Sequence, residues 1–209
     1  MKTARIYAFG DSLTYGAWDS QGGWCDRLKQ KLHNLTINQE NGVKFQMLNL
    51  GIGGENSRSL LKRLKNEIEA RHRLDWPEVI IIGTGFNDSR YKINGETDVS
   101  IEEYKDNLKK IITTAREYTD KIILIGLVLT QLKIQPFKET FVSHELLQKY
   151  DKIITEVANE EKVKKVETID GFELLGKNIY FRDGVHLNDD GHKIMTDLIW
   201  VELEKLLKD

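Results

Sequence analysis

Short apolar runs that stop at glycine, each followed by apolar residues at helical spacing, set the pattern of this chain. Ile6-Tyr7-Ala8-Phe9 stops at Gly10, Val43–Leu50 at Gly51, and Val79-Ile80-Ile81-Ile82, entered after Pro77, at Gly83. Ile122–Leu129 reads as a fourth strand, and a shorter run near Val163–Ile169 as a fifth. Helical stretches lie between them. Trp24, Leu28 and Leu32 mark one, Leu60, Leu64 and Ile68 the next, and Ile101, Tyr104, Leu108, Ile111, Ile112 and Ala115 a long amphipathic face. Leu147, Tyr150, Ile154 and Val157 give another, and a last helix spans about Asp189–Leu207. A strand with one wet face alternates in polarity, whereas a continuously apolar strand is buried on both sides. Five such runs interleaved with helices therefore predict an α/β fold with a five-stranded parallel sheet between two helical layers.

At 209 residues the chain suits one domain, 1–209, with no repeat or linker. Two longer loops, Ser89–Ser100 and Thr130–Val142, do not read as a domain boundary. Lys and Arg total 31 against 33 for Asp and Glu, so no electrostatic pull toward nucleic acid or anionic lipid is expected. Cys25 is the single cysteine, which excludes an intrachain disulfide and a multi-cysteine zinc cage. Neither a signal peptide nor an apolar stretch of membrane-spanning length is legible, and a cytoplasmic protein without membrane insertion is the expectation. Oligomeric state is not readable from the chain.

Sheets of this kind bind ligands beyond the carboxyl ends of their strands, so functional polar residues should follow strands. Four clusters do. The first three runs lead into Gly10-Asp11-Ser12-Leu13, Asn49-Leu50-Gly51-Ile52-Gly53-Gly54 and Gly83-Thr84-Gly85-Phe86-Asn87-Asp88, and Asp183-Gly184-Val185-His186 comes after the last. Acyl transfer needs such a set. A serine hydroxyl is a weak nucleophile until a base takes its proton, and the base needs a carboxylate to hold its tautomer and tolerate its charge. Asp183 lies three residues before His186, so one turn can carry both. The tetrahedral intermediate then needs donors, which a glycine N–H and an asparagine amide supply.

These four blocks, in this order, resemble those of the SGNH hydrolases, the GDSL esterase/lipase family, over nearly the whole chain. The resemblance implies a flavodoxin-like three-layer α/β/α sandwich. It also implies Ser12 as nucleophile, Asp183 and His186 as the rest of a triad, and an oxyanion hole of Ser12 N–H, Gly54 N–H and the Asn87 amide. No cofactor or metal is implied. The substrates it implies are small carboxylic esters: short-chain acyl esters, thioesters, lysophospholipids or O-acetylated sugars.

Other readings compete with this one. Ser12 alone could be a turn or N-cap serine and Asn87 an ordinary turn residue. Asp11 reads as shaping its loop through local hydrogen bonds. His33, His72 and His144 read as bystanders, and His192 is the one substitute for His186 as base. Asp11, Asn87, Asp88, Asp183 and His186 together could serve a metal-dependent phosphoesterase. A non-catalytic binding domain on the same fold is a further alternative. Trp18 and Trp24 are candidate pocket walls, and Thr130–Val142 is a candidate specificity element. A Gly-x-Ser-x-Gly elbow is absent from the sequence, which disfavours the common α/β-hydrolase arrangement.

Overall fold

A computed structural model describes residues 2–38, 42–173 and 178–208. The chain opens with β1 (Lys2–Gly10), the four-residue α1 (Ser12–Tyr15) and α2 (Gly23–Ile37). There follow β2 (Val43–Gly51), α3 (Ser57–Glu69), β3 (Glu78–Gly83), α4 (Ile101–Arg116) and β4 (Ile122–Ile125). A hairpin of β5 (Ile134–Phe137) and β6 (Thr140–Ser143) precedes α5 (His144–Glu160), β7 (Lys164–Val166), α6 (Ile169–Glu173) and α7 (Asp189–Lys208).

Five strands form one parallel sheet in the order β2-β1-β3-β4-β7, the flavodoxin-like doubly wound arrangement. Side chains alternate across each strand, and both sets are buried. Tyr7, Phe9, Ile80, Ile82, Ile122 and Leu124 pack with residues of α3, α4 and α5 on one face. Ile6, Ala8, Val79, Ile81, Ile123 and Ile125 pack with α2 and α7 on the other. This is why the central strands read as unbroken apolar runs. The three-layer expectation holds.

Several helices begin on side-chain caps. Asn56 accepts from the Ser59 N–H at 3.1 Å and Ser143 from the Leu146 N–H at 3.3 Å. Ser100 accepts from the Glu103 N–H at 3.2 Å, so the 89–100 segment ends where α4 gains its first satisfied donor.

Some boundaries differ from the sequence expectation. The fourth strand ends at Ile125 rather than Leu129 because side chains take over the next backbone groups. Asp151 accepts from the Leu127 N–H at 2.8 Å, and Thr168 donates to the Leu127 carbonyl at 2.6 Å. The last strand is only Lys164–Val166, matched to the short β4. Within Thr130–Val142, expected as a loop, lies the antiparallel β5–β6 ladder, with Ile134 paired to Ser143 and Phe137 to Thr140. Its outer strand shows no apolar face (Ile134 is 59% exposed), so no periodicity announces it. The fourth polar cluster also does not follow a strand directly: α6 intervenes after β7.

Candidate active site

At the switch point, connections leave β1 and β3 toward opposite edges of the sheet, and the first three clusters meet there. The turn after β1 is unusually tight. Asp11 caps α1 by accepting from the Leu13 N–H at 3.0 Å, which places Ser12 at the first helical position. α1 sits directly on the strand ends, and this explains two strand-terminal glycines. A Cβ on Gly10 would lie 2.4 Å from the Thr14 hydroxyl oxygen, and also 2.2 Å from the Gly83 carbonyl oxygen of β3, and one on Gly51 would lie 2.2 Å from the Tyr15 nitrogen. Gly54 has φ 79°, in the left-handed region, with open space where a Cβ would be.

Ser12 Oγ lies 2.9 Å from His186 Nε2 across 174 residues of sequence. His186 Nδ1 lies 2.7 Å from Asp183 Oδ2. The other carboxylate oxygen, Oδ1, accepts from the Val185 and His186 N–H groups, each at 3.0 Å. Burial pushes the Asp183 carboxyl up, but the His186 ring and these two N–H groups outweigh it and hold it below its ordinary value. Asp183 is thus anionic at neutral pH and orients the ring whose far nitrogen meets Ser12.

Asn87 is buried after β3 and donates from Nδ2 to the Glu55 carbonyl at 3.0 Å and to Asp11 Oδ2 at 3.3 Å. These acceptors fix which end of the amide is the donor. Glu55 is itself held by Arg63, whose Nε donates to Oε1 at 2.7 Å. Burial first, then the charges of Asp88 and Glu55, raise the Asp11 carboxyl to about 7 against the opposing Leu13 hydrogen bond.

A cavity of about 300 Å³ opens over these groups, lined by Ser12, Gly54, Asn87 and His186. Leu13, Phe86, Val128 and Val185 supply apolar lining, and Arg90, Phe137 and Lys138 complete one side. Trp18 lines it as well, 59% exposed, with its ring 5.7 Å from Phe181 and 6.1 Å, edge-on, from His186. The structure therefore brings together Ser12, Gly54, Asn87, Asp183 and His186.

The other expectations fare differently. Trp24 is fully buried in the core and does not line this cavity. His192 is fully buried too: its Nδ1 accepts from the Trp24 N–H at 3.2 Å, and Nε2 faces the Ala17 carbonyl at 3.3 Å. Burial lowers its pKa, so it remains a neutral bridge between α7 and the loop before α2. His144 Nε2 lies 2.7 Å from the Thr130 carbonyl, and His72 Nδ1 lies 2.9 Å from Glu78 Oε2.

The five residues offered to a metal do not form one ligand set: Asp183 is engaged by His186, and Asp88 turns to the start of α3. Asp88 accepts from the Ser57 N–H at 3.0 Å and from its hydroxyl, and Asn107 donates to Ser57 Oγ at 3.0 Å. Burial raises the Asp88 carboxyl to about 6. This network ties the loop after β3 to the start of α3. Among the described residues, no three His, Cys, Asp or Glu side chains stand close enough to share a metal ion.

Sequence reasoning did not find Glu55, Arg63, Arg90 or Lys138. Glu55 follows Gly54 directly and Arg90 lies three residues past Asn87, but only the folded loops give these positions meaning. Lys138 falls within Thr130–Val142, the candidate specificity element, but nothing in the sequence singles it out there.

Comparisons with known proteins give the family and the fold. The GDSL-like Lipase/Acylhydrolase family matches residues 8–194. A human protein named isoamyl acetate-hydrolyzing esterase 1 homolog is 27% identical, the alignment covering 96% of this chain and 82% of that protein. The isoamyl acetate-hydrolyzing esterase of Saccharomyces cerevisiae is 25% identical, covering 94% and 84% respectively. Among solved structures, the lipase/acylhydrolase from Enterococcus faecalis superposes with a TM-score of 0.74 at 19% identity, covering 97% of this chain and 96% of that one. An acetylxylan esterase from Geobacillus stearothermophilus gives 0.74 at 18% identity, covering 97% and 95%. With this match and this fold, the chain belongs to the GDSL-like lipase/acylhydrolase family, the SGNH hydrolases, and is a carboxylic ester hydrolase.

Proposed function

We propose that this chain hydrolyses small carboxylic esters through an acyl-enzyme on Ser12. The observation that carries the reading is the continuous chain from Ser12 Oγ through His186 to Asp183, at 2.9 and 2.7 Å. Ser12 Oγ attacks the ester carbonyl carbon while His186 Nε2 takes its proton, and Asp183 steadies the resulting imidazolium through Nδ1–H. The oxyanion is met by the Ser12 and Gly54 N–H groups and by the Asn87 amide. Asn87 keeps one proton on the Glu55 carbonyl, and the other, in a long 3.3 Å contact with Asp11, turns to the oxyanion. Collapse of the intermediate breaks the bond to the alcohol oxygen, which leaves with the proton from His186. Water then gives up a proton to the same nitrogen, attacks the acyl-enzyme and releases the acid.

A cavity of about 300 Å³ is at the small end of ligand sites and favours a short acyl group on a small alcohol. The isoamyl acetate named for the curated relatives has this character. Thioesters, lysophospholipids and O-acetylated sugars belong in the same activity panel. Among the described residues no helix is long and apolar enough to cross a membrane. Cys25 is fully buried, its thiol pKa pushed up by that burial, and a cytoplasmic location fits the proposal.

The test is labelling with a fluorophosphonate followed by peptide mapping, beside an ester assay with and without chelator. Modification at Ser12, abolished in Ser12→Ala, and chelator-insensitive turnover are expected. Labelling elsewhere, or chelator-sensitive turnover that survives Ser12→Ala, overturns the serine mechanism.

A further inference from the structure

Two cations, Arg90 and Lys138, line the candidate site. Arg90 is half-buried, with its Nε donating to Thr140 Oγ1 at 3.2 Å and its guanidinium over the Phe137 ring at 5.3 Å. These contacts hold the planar group in place while using one of its five donors. Lys138 Nζ lies 5.9 Å from the other participant in this stack, the same Phe137 ring. Among the described residues, no carboxylate pairs with either, although cations elsewhere on the surface are repeatedly paired, as Lys105 is with Glu156 and Glu160.

Lys138 also occupies a costly position. It is the first loop residue of the two-residue hairpin between β5 and β6, and its φ of 54° belongs to a place where glycine is the ordinary occupant. The non-glycine residues with positive φ among the described residues are Trp18, Lys138 and Lys162, and the first two line the cavity. Backbone strain of this kind persists where it serves a site. A long, exposed cationic side chain thus stands where glycine is easier, beside a second cation held on the same aromatic ring, and both line the cavity.

We propose that the preferred ester carries an anionic group, a carboxylate or a phosphate, and that Arg90 and Lys138 bind it while Ser12 faces the ester carbonyl. The inference rests on the esterase reading above and adds the charge of the substrate. Phe137 and the apolar lining take the carbon chain between the two polar ends. The charge stands on either the acyl or the alcohol side of the ester, and matched probes separate the two.

Two pairs of nearly isosteric esters test this: ethyl hydrogen succinate against ethyl pentanoate, with the charge on the acyl side, and 4-acetoxybutyrate against pentyl acetate, with it on the alcohol side. Initial rates are followed by acid release. In the wild-type protein at low ionic strength, the anionic member of at least one pair should show kcat/KM about tenfold or more above its neutral partner, mainly through KM. The preference should shrink as salt is added. Arg90→Gln should bring the ratio close to one. Lys138→Gly should lower it several-fold while raising Tm, because it removes charge and backbone strain together; this variant keeps the test informative if Arg90→Gln folds poorly. A wild-type preference for the neutral ester in both pairs, or ratios unchanged in both variants, overturns the proposal. Failure of the wild type to hydrolyse any of the four overturns the esterase reading itself.

Discussion

Asn87 gives one amide proton to the Glu55 carbonyl at 3.0 Å, and Glu55 is clamped in turn by Arg63 from α3. The amide is therefore held at one proton before any substrate arrives, and in the proposed mechanism only its weaker contact, to Asp11, gives way to the oxyanion. Asn87→Ala should lower kcat by about 10²–10³, the loss seen when one oxyanion donor is removed, with a smaller change in KM. Arg63→Gln should lower kcat less, and add a loss of thermal stability. Steady-state kinetics with a short-chain acetate ester decide the point, and an unchanged kcat in Asn87→Ala would remove this residue from the mechanism.

His186 and His192 should separate cleanly in their effects. His186→Ala removes the proposed base and should cost at least about 10³-fold in kcat. His192→Leu leaves the Trp24 N–H unpaired in the core and should lower stability by about 1–3 kcal/mol, with kcat within tenfold of wild type. Thermal melts beside kinetics check both. A large loss of activity with intact stability in His192→Leu would contradict its assignment as a bridge.

Gly51 carries a steric prediction. A methyl there would meet the Tyr15 backbone at 2.2 Å, so Gly51→Ala must push α1, and Ser12 with it, off the strand ends. Overpacking of this kind costs about 1–3 kcal/mol. Denaturant unfolding should show that loss, and kcat should fall as well. Gly54→Ala, by contrast, meets no neighbour within 4 Å, and its cost should come from the φ of 79° alone.

Two buried carboxyls set a pH dependence of stability opposite to the usual one. Asp11 is raised to about 7 and Asp88 to about 6, from an ordinary value of 3.8, in each case chiefly by burial. Between about pH 4 and these values the folded protein keeps protons that the unfolded chain has released. Stability due to these groups therefore falls as pH rises through that window and levels off above about 7. Asp183 and Asp19, held below 3.8, act in the other direction but lose their contribution only at more acidic pH. Denaturation midpoints at pH 5 and pH 7.5 should differ less in Asp88→Asn than in the wild type. An equal difference in the two proteins would refute the assignment for Asp88.

Much of this architecture could be read from the chain, and the reasons are local. Val79–Ile82 can only be a strand buried on both faces, and Leu60, Leu64 and Ile68 can only be the inner stripe of a helix. Ser12, Gly54 and Asn87 follow such strands, and Asp183 precedes His186 by three residues, close enough for one turn; the roles expected of all five come from the resemblance of the four ordered blocks to the SGNH hydrolases. The features missed depend on distant partners. The β5–β6 ladder pairs exposed residues around Pro136, with no periodicity to betray it. β4 ends early because Asp151 and Thr168, both remote in sequence, capture Leu127. Arg90 and Lys138 come to the same Phe137 ring where a bridge from Tyr91 to Phe141 draws the two segments together.

The turn at Asp183 uses one carboxylate to grip both the imidazole of His186 and the backbone that carries it. In the proposed mechanism, carboxylate and base are consequently a preassembled unit. The gap from this unit to the serine hydroxyl is then the adjustable joint, and Gln131, which donates its N–H to the Gly184 carbonyl at 2.8 Å, ties that joint to the segment after β4.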